Sequence, residues 1–85
     1  MNSMIIIIKK TIFSLFTLAL LVAEDNKVSL LLSVLDDSSN PLESSNLTLI
    51  NTANNIEYVG ASDSDGKYYF TDLEIEKYIL IINYI

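Results

Sequence analysis

From Lys27 onward the apolar residues recur at every second position, and this period constrains the fold more than any other property of the sequence. Val28, Leu30, Leu32 and Val34 share one face of an extended chain, with Ser29 and Ser33 on the other. Leu31 and Leu35 make that second face partly apolar, so this strand is predicted to lie inside a sheet and not at its edge. The stretch Asp36 to Pro41 gathers six turn-favouring residues, after which Leu47 and Leu49 alternate with Asn46 and Thr48 in a second strand that runs to Ile50. Asn51 to Asn55 is a further turn, and Ile56, Tyr58 and Val59 open a third strand. It stops at Asp63-Ser64-Asp65-Gly66, where Gly66 supplies the positive φ of a tight hairpin. Lys67 to Thr71 returns as a fourth strand, Leu73 sits in a short connection, and Tyr78, Leu80 and Ile82 alternate through a fifth that reaches the last residue. Five strands at spacings of roughly ten residues, joined by turn chemistry, predict an all-β, antiparallel β-sandwich or part of one.

The first 23 residues obey a different rule. An apolar run, Ile5 to Ile8, precedes Lys9 and Lys10, and a second apolar stretch extends from Thr11 to Ala23. That order matches the charged, apolar and small-residue regions of a secretory signal. The second stretch falls short of the roughly 20 residues that cross a bilayer as a helix. Glu24, Asp25 and Asn26 follow it at once. A helical signal peptide over 1–23, cleaved after Ala23, and a mature domain over 24–85 are therefore expected. Leu21 is larger than the residue usual two positions before the cut. The alternative, an uncleaved anchor with Ile5 to Ile8 added to the span, places two lysines in hydrocarbon at a cost of a few kcal/mol on insertion scales.

Charge and composition narrow the partners. The chain carries 11 acids against 5 cations, all of them lysine, and after Ala23 three lysines face all the acids, a net −8. Such a surface repels phosphate backbones, which excludes nucleic acid as a partner. The chain has no Cys, so neither a disulfide framework nor a lipid-modified cysteine is available. With about 60 residues after the leader and no covalent staple, the core is predicted to be marginal. Ile79 to Ile85 is apolar on both faces, and an unpaired edge there invites self-association through strand pairing.

The order of these signals resembles the carboxypeptidase regulatory-like domains, whose pattern is D-x-x-x-x-P-L, a short alternating strand, T-D-x-x-G-x-F-x-F, a Leu, and G-x-Y-x-L. Here the corresponding residues are Asp36, Pro41 and Leu42, then Leu47 and Leu49, then Ser62-Asp63-Ser64-Asp65-Gly66-Lys67-Tyr68-Tyr69-Phe70, then Leu73, and Tyr78-Ile79-Leu80. The chain differs at Leu32 and Ser33, where the family has a Gly, and at Glu76, where a Gly precedes the Tyr by two. The resemblance implies a transthyretin-like (prealbumin-like) Greek-key sandwich. With an export signal directly in front, it is similar to the N-terminal extension of TonB-dependent outer-membrane receptors. In those proteins the module precedes a plug and barrel, which implies that this chain is a fragment of a longer product, truncated at its C-terminus.

The chemistry available is limited. Without His or Cys the chain cannot build an imidazole-based triad, a zinc site or a thiolate nucleophile, and a non-enzymatic module is expected. Asp63, Asp65 and Gly66 imitate the first half of a calcium loop, but the acid twelve positions along, Glu74, lies beyond Tyr68, Phe70 and Leu73, which read as strand and core. A hairpin turn is preferred there over a calcium site at Asp63 and Asp65, and no cofactor is expected. Among the five tyrosines, Tyr69 and Tyr84 fall on the face opposite the predicted core and are candidates for a surface that binds a protein or glycan. The expected function is a cell-envelope accessory module in the bacterial periplasm or outer membrane, reaching the membrane only through the missing barrel. The alternatives are a free-standing periplasmic or secreted protein- or glycan-binding module, and a non-functional gene fragment.

Overall fold

The computed structural model describes residues 4–10, 16–24 and 26–84. Seven strands appear in it: β1 (Ile5–Lys10), β2 (Phe16–Glu24), β3 (Lys27–Leu35), β4 (Asn46–Asn51), β5 (Glu57–Ala61), β6 (Lys67–Glu74) and β7 (Lys77–Asn83). They form a four-stranded sheet in the order β1-β7-β4-β5 and a three-stranded sheet in the order β2-β3-β6. The fold is all-β with two sheets, and one apolar core lies between them. Leu30, Leu32, Val34, Phe70 and Leu73 come from one sheet, and Leu47, Leu49, Tyr78, Leu80 and Ile82 from the other. Alternation along β3, β4 and β7 sends every second side chain into that core.

The five strands expected after the leader are present as β3 to β7, with three differences in how they are joined. β6 runs through Leu73 to Glu74 instead of ending at Thr71. Its register against β3 slips by one residue between Val28↔Leu73 and Leu30↔Phe70, and Asp72 takes φ 55°. This is a β-bulge, and its extra residue turns Phe70 and Leu73 to the same buried side although they are three apart. The turn at Asp63–Gly66 closes locally, but β5 and β6 then enter different sheets, so it is a corner and not the expected hairpin. Lastly, the pairing is not purely antiparallel, because β1 joins β7 in parallel, from Ile5↔Lys77 to Lys10↔Ile82.

That parallel pair also corrects two expectations. β7 is not an open edge, since β1 covers it on the side away from β4. Residues 5–10 and 16–24 are strands where a helix was expected: β1 pairs with β7, and β2 forms an antiparallel hairpin with β3 through Asn26, which takes φ 67°. Consecutive β-branched isoleucines favour extended backbone. An apolar segment tethered beside two sheet edges also satisfies its backbone groups by pairing with them. Among the described residues no helix is long and apolar enough to cross a membrane. β3 is central, as expected, but only because β2 flanks it.

Candidate functional site

Of the residues singled out from the sequence, Asp63 and Asp65 lie at the corner where the crossover loops meet, Tyr69 on the outer face of the three-stranded sheet, and Tyr84 after β7 in the other sheet.

The corner is built from Asp36–Ser45 and Ser62–Lys67. Asp36 accepts from the backbone N–H of Ser38 at 2.9 Å and of Asn40 at 2.8 Å, an Asx-type closure that fixes the start of the first loop. Those bonds, the one from Asn40 foremost, hold the Asp36 carboxyl below its ordinary range. Asp63 plays the same part in the second loop, its Oδ1 accepting from the N–H of Asp65 at 2.8 Å and of Lys67 at 3.0 Å. The loops are tied through β3: Val34 N–H donates to the Gly66 carbonyl at 2.7 Å, and Leu42 N–H to the Val34 carbonyl at 2.9 Å. Gly66 has φ 73°, and a Cβ there would lie 2.6 Å from the Val34 carbonyl oxygen, so no other residue fits. Ser62 completes the tie, its buried hydroxyl donating to the Leu42 carbonyl at 2.6 Å and accepting from Ser45 N–H at 2.9 Å.

Asp63 therefore has a turn-closing job, and one of its carboxylate oxygens is committed to backbone donors. Asp65 is exposed beside it. Among the described residues no group of three or more His, Cys, Asp or Glu side chains is placed to hold a metal ion. Ser62, Ser45 and Leu42, which lock the two loops, were not singled out from the sequence. A serine gives no local sign that its hydroxyl will tie its own loop to partners seventeen and twenty residues away.

Tyr69 and Tyr84 are not brought together. Tyr69 projects from β6 with 61 % of its surface exposed. Tyr84 follows β7 in the other sheet and packs, half-buried, against the core. Tyr69 instead lines up across its own sheet with Leu31 on β3 and, beyond it, Leu20 on β2, since Leu31 pairs with both. Leu20 and its neighbour Val22 are exposed, and Leu31 is half-buried. The row ends in charge, because Lys27 and Glu74 form a cross-strand ion pair at the end of β3 and β6. The hydrogen bond to Glu74 raises the Lys27 amine above its ordinary value. Leu20 lies in the segment read from the sequence as a signal peptide, so nothing in the sequence connects it with Tyr69.

Inside, two tyrosines do structural work. Tyr78 is fully buried, with its hydroxyl donating to the Glu74 carbonyl at 2.8 Å, and burial pushes that hydroxyl's pKa up. Tyr68 stacks edge-on against Phe70 at 4.8 Å and fills the space over Gly60, where any Cβ would collide with its ring.

Comparison of the chain with family models, curated proteins and solved structures gives no match.

Proposed function

We propose that the chain is an export leader followed by a non-enzymatic accessory module of the bacterial cell envelope, of the transthyretin-like Greek-key kind found at the N-terminus of TonB-dependent receptors. One observation carries the division: every fully buried apolar residue among those described lies between Val28 and Ile82, and the described side chains of β1 and β2 are partly buried or exposed. Met4 and Ile6 pack against that core without being fully buried, so the leader covers the interior instead of forming it and can serve another purpose. Its order of lysine pair, apolar stretch and Ala23 suits export. The module itself offers turns, a packed core and an acidic surface, which suit holding a position or a partner better than performing a reaction.

The outer-face row of Leu31 and Tyr69 favours a second version of this reading, in which the module binds a protein or glycan by itself. Both versions need export. Expressing residues 1–85 in a bacterium, fractionating the cells and sequencing the product's N-terminus tests it. A chain beginning at Glu24 in the envelope fraction is the expected result, and an intact Met1 chain confined to the cytoplasm overturns it. Reading the gene downstream of codon 85 separates the versions: plug and barrel sequence in frame supports the receptor, and an unrelated gene after a stop supports the free-standing module.

A further inference from the structure

β7 carries a pattern that β1 covers but does not need. Its burial runs exposed, buried, half-buried, buried, half-buried, buried, exposed from Lys77 to Asn83, and reads the same in both directions. A second β7 laid antiparallel about Leu80 would set Ile79 against Ile81, Tyr78 against Ile82 and Lys77 against Asn83. Directly opposed residues in an antiparallel pair share a face. Every buried side chain would thus meet a buried one, and no like charges would face each other. The edge also lacks the devices that normally protect one. Between Lys77 and Asn83 it has no charge, no proline and no bulge, in a chain whose segment after Ala23 is otherwise strongly acidic.

We infer that the β7 edge is a strand-acceptor site, filled by Ile5–Lys10 of the same chain until that strand leaves and then by β7 of a second copy in a two-fold dimer. The layout permits it. β5 and β6 approach each other on one side of the sandwich, which puts β1 and β2 at the other. With β1 gone each sheet has three strands, β7-β4-β5 and β2-β3-β6, so neither has a strand more than the other. With both leader strands gone, β7 projects one strand beyond β3, and the approach is easier still. A parallel, six-residue pairing such as β1 makes with β7 is also slightly weaker per residue than an antiparallel one.

The timing of this exchange in the cell rests on the export reading, but the acceptor site itself does not, so it is tested on the full chain without processing. Ile6 and Ile8 are the β1 residues opposite Tyr78 and Leu80. The double variant Ile6→Asp with Ile8→Asp places carboxylates where they must dock, and Ile7→Pro gives an independent way to dislodge the strand. Size-exclusion chromatography with light scattering is expected to give a monomer for the unaltered chain and a dimer for the undocked variants. Adding Ile81→Lys, which sets a charge on the shared edge, is expected to restore the monomer. Adding Val59→Lys on β5, the far edge of the same sheet, should leave the dimer intact. An undocked variant that stays monomeric overturns the inference. So does a ladder of larger species insensitive to Ile81→Lys, because two-fold pairing closes at two. Loss of the folded core in both undocked variants, read from the near-ultraviolet tyrosine signal, also overturns it, since β1 would then not be a separable strand. None of these results bears on cleavage after Ala23, which the N-terminal sequence of the exported product reads separately.

Discussion

The two lateral sides of the sandwich are sealed by different means. At the side of β5 and β6 the sheets come together, and the Tyr68 ring of one sheet occupies the space that Gly60 leaves in the other. At the opposite side each sheet gains a strand from the first 24 residues, and these strands carry Ile5, Ile7, Leu20, Leu21 and Val22 with much of their apolar surface in water. The first side is closed by packing and the second by backbone pairing. Packing fixes a unique neighbour, whereas a row of backbone donors and acceptors accepts any strand of suitable pattern. The side of β1 and β2 is therefore the replaceable one.

The sharpest test of that contrast compares partners in one register pair, Leu80 of β7 and Ile8 of β1. Leu80 has no exposed surface and touches the shared core. Leu80→Ala removes buried methyl groups and leaves a cavity, so equilibrium unfolding in urea should show a loss of about 2–5 kcal/mol. Next in size is Gly60→Ala, whose new methyl meets the Tyr68 ring and forces it off the opposite sheet. Overpacking of this kind costs about 1–3 kcal/mol, and the near-ultraviolet tyrosine signal should change with it. Ile8→Ala should cost less than about 1 kcal/mol, because Ile8 keeps 39 % of its surface exposed and has less apolar area to lose. A loss at Ile8 equal to that at Leu80 would mean the leader belongs to the core, and the contrast between the two sides would fall.

Ser45 probes the corner between these sides. Its hydroxyl is buried without a hydrogen-bond partner, while its backbone N–H is held by Ser62. Ser45→Ala removes an unsatisfied polar atom and leaves the backbone bond in place, so stability should stay level or rise slightly. Ser62→Ala should go the other way by about 1–3 kcal/mol, since it leaves the Ser45 N–H without its acceptor.

How far the sequence announces these features depends on whether their causes are local. The alternation in β3, β4 and β7 is local, because each strand's own residues define its buried face. Tyr69 could be placed outside by the same parity, lying between Tyr68 and Phe70. β6 was cut short because Phe70 and Leu73, three apart, cannot share a face in a regular strand, and only the left-handed Asp72 reconciles them. The Asp63–Gly66 turn was legible as a turn, but which sheet each flanking strand joins is decided by partners far along the chain. β1 and β2 were hidden for a related reason. A short apolar run fits helix or strand equally, and what settles it is an open edge more than seventy residues away for β1 and the Asn26 hairpin for β2. Tyr84 shares the parity of Tyr78, Leu80 and Ile82, so its place against the core followed from an alternation that should have been carried past Asn83.

The smallest predicted effects are electrostatic, and they separate two regions by the sign of their pH dependence. Asp36 has a lowered pKa, so its bonds to Ser38 and Asn40 contribute stability above the ordinary carboxylate value and lose it as pH falls through the lowered one. Lys27 has a raised pKa, so its pairing with Glu74 contributes below the ordinary lysine value and is lost as pH rises through the raised one. Both groups are solvent-exposed, and salt screens them. Alkali should therefore loosen the Lys27 end of β3 and β6 while leaving the 36–45 crossover in place. Unfolding midpoints measured across pH for the unaltered chain, Asp36→Ala and Lys27→Met would show it as two differences. The Asp36→Ala difference should shrink toward zero at the acid end only, and the Lys27→Met difference at the alkaline end and also in acid, where protonation of the Glu74 carboxylate removes its partner. Identical profiles for the two variants would mean that neither local bond survives in water, and that the corner and the strand end are held by backbone pairing alone.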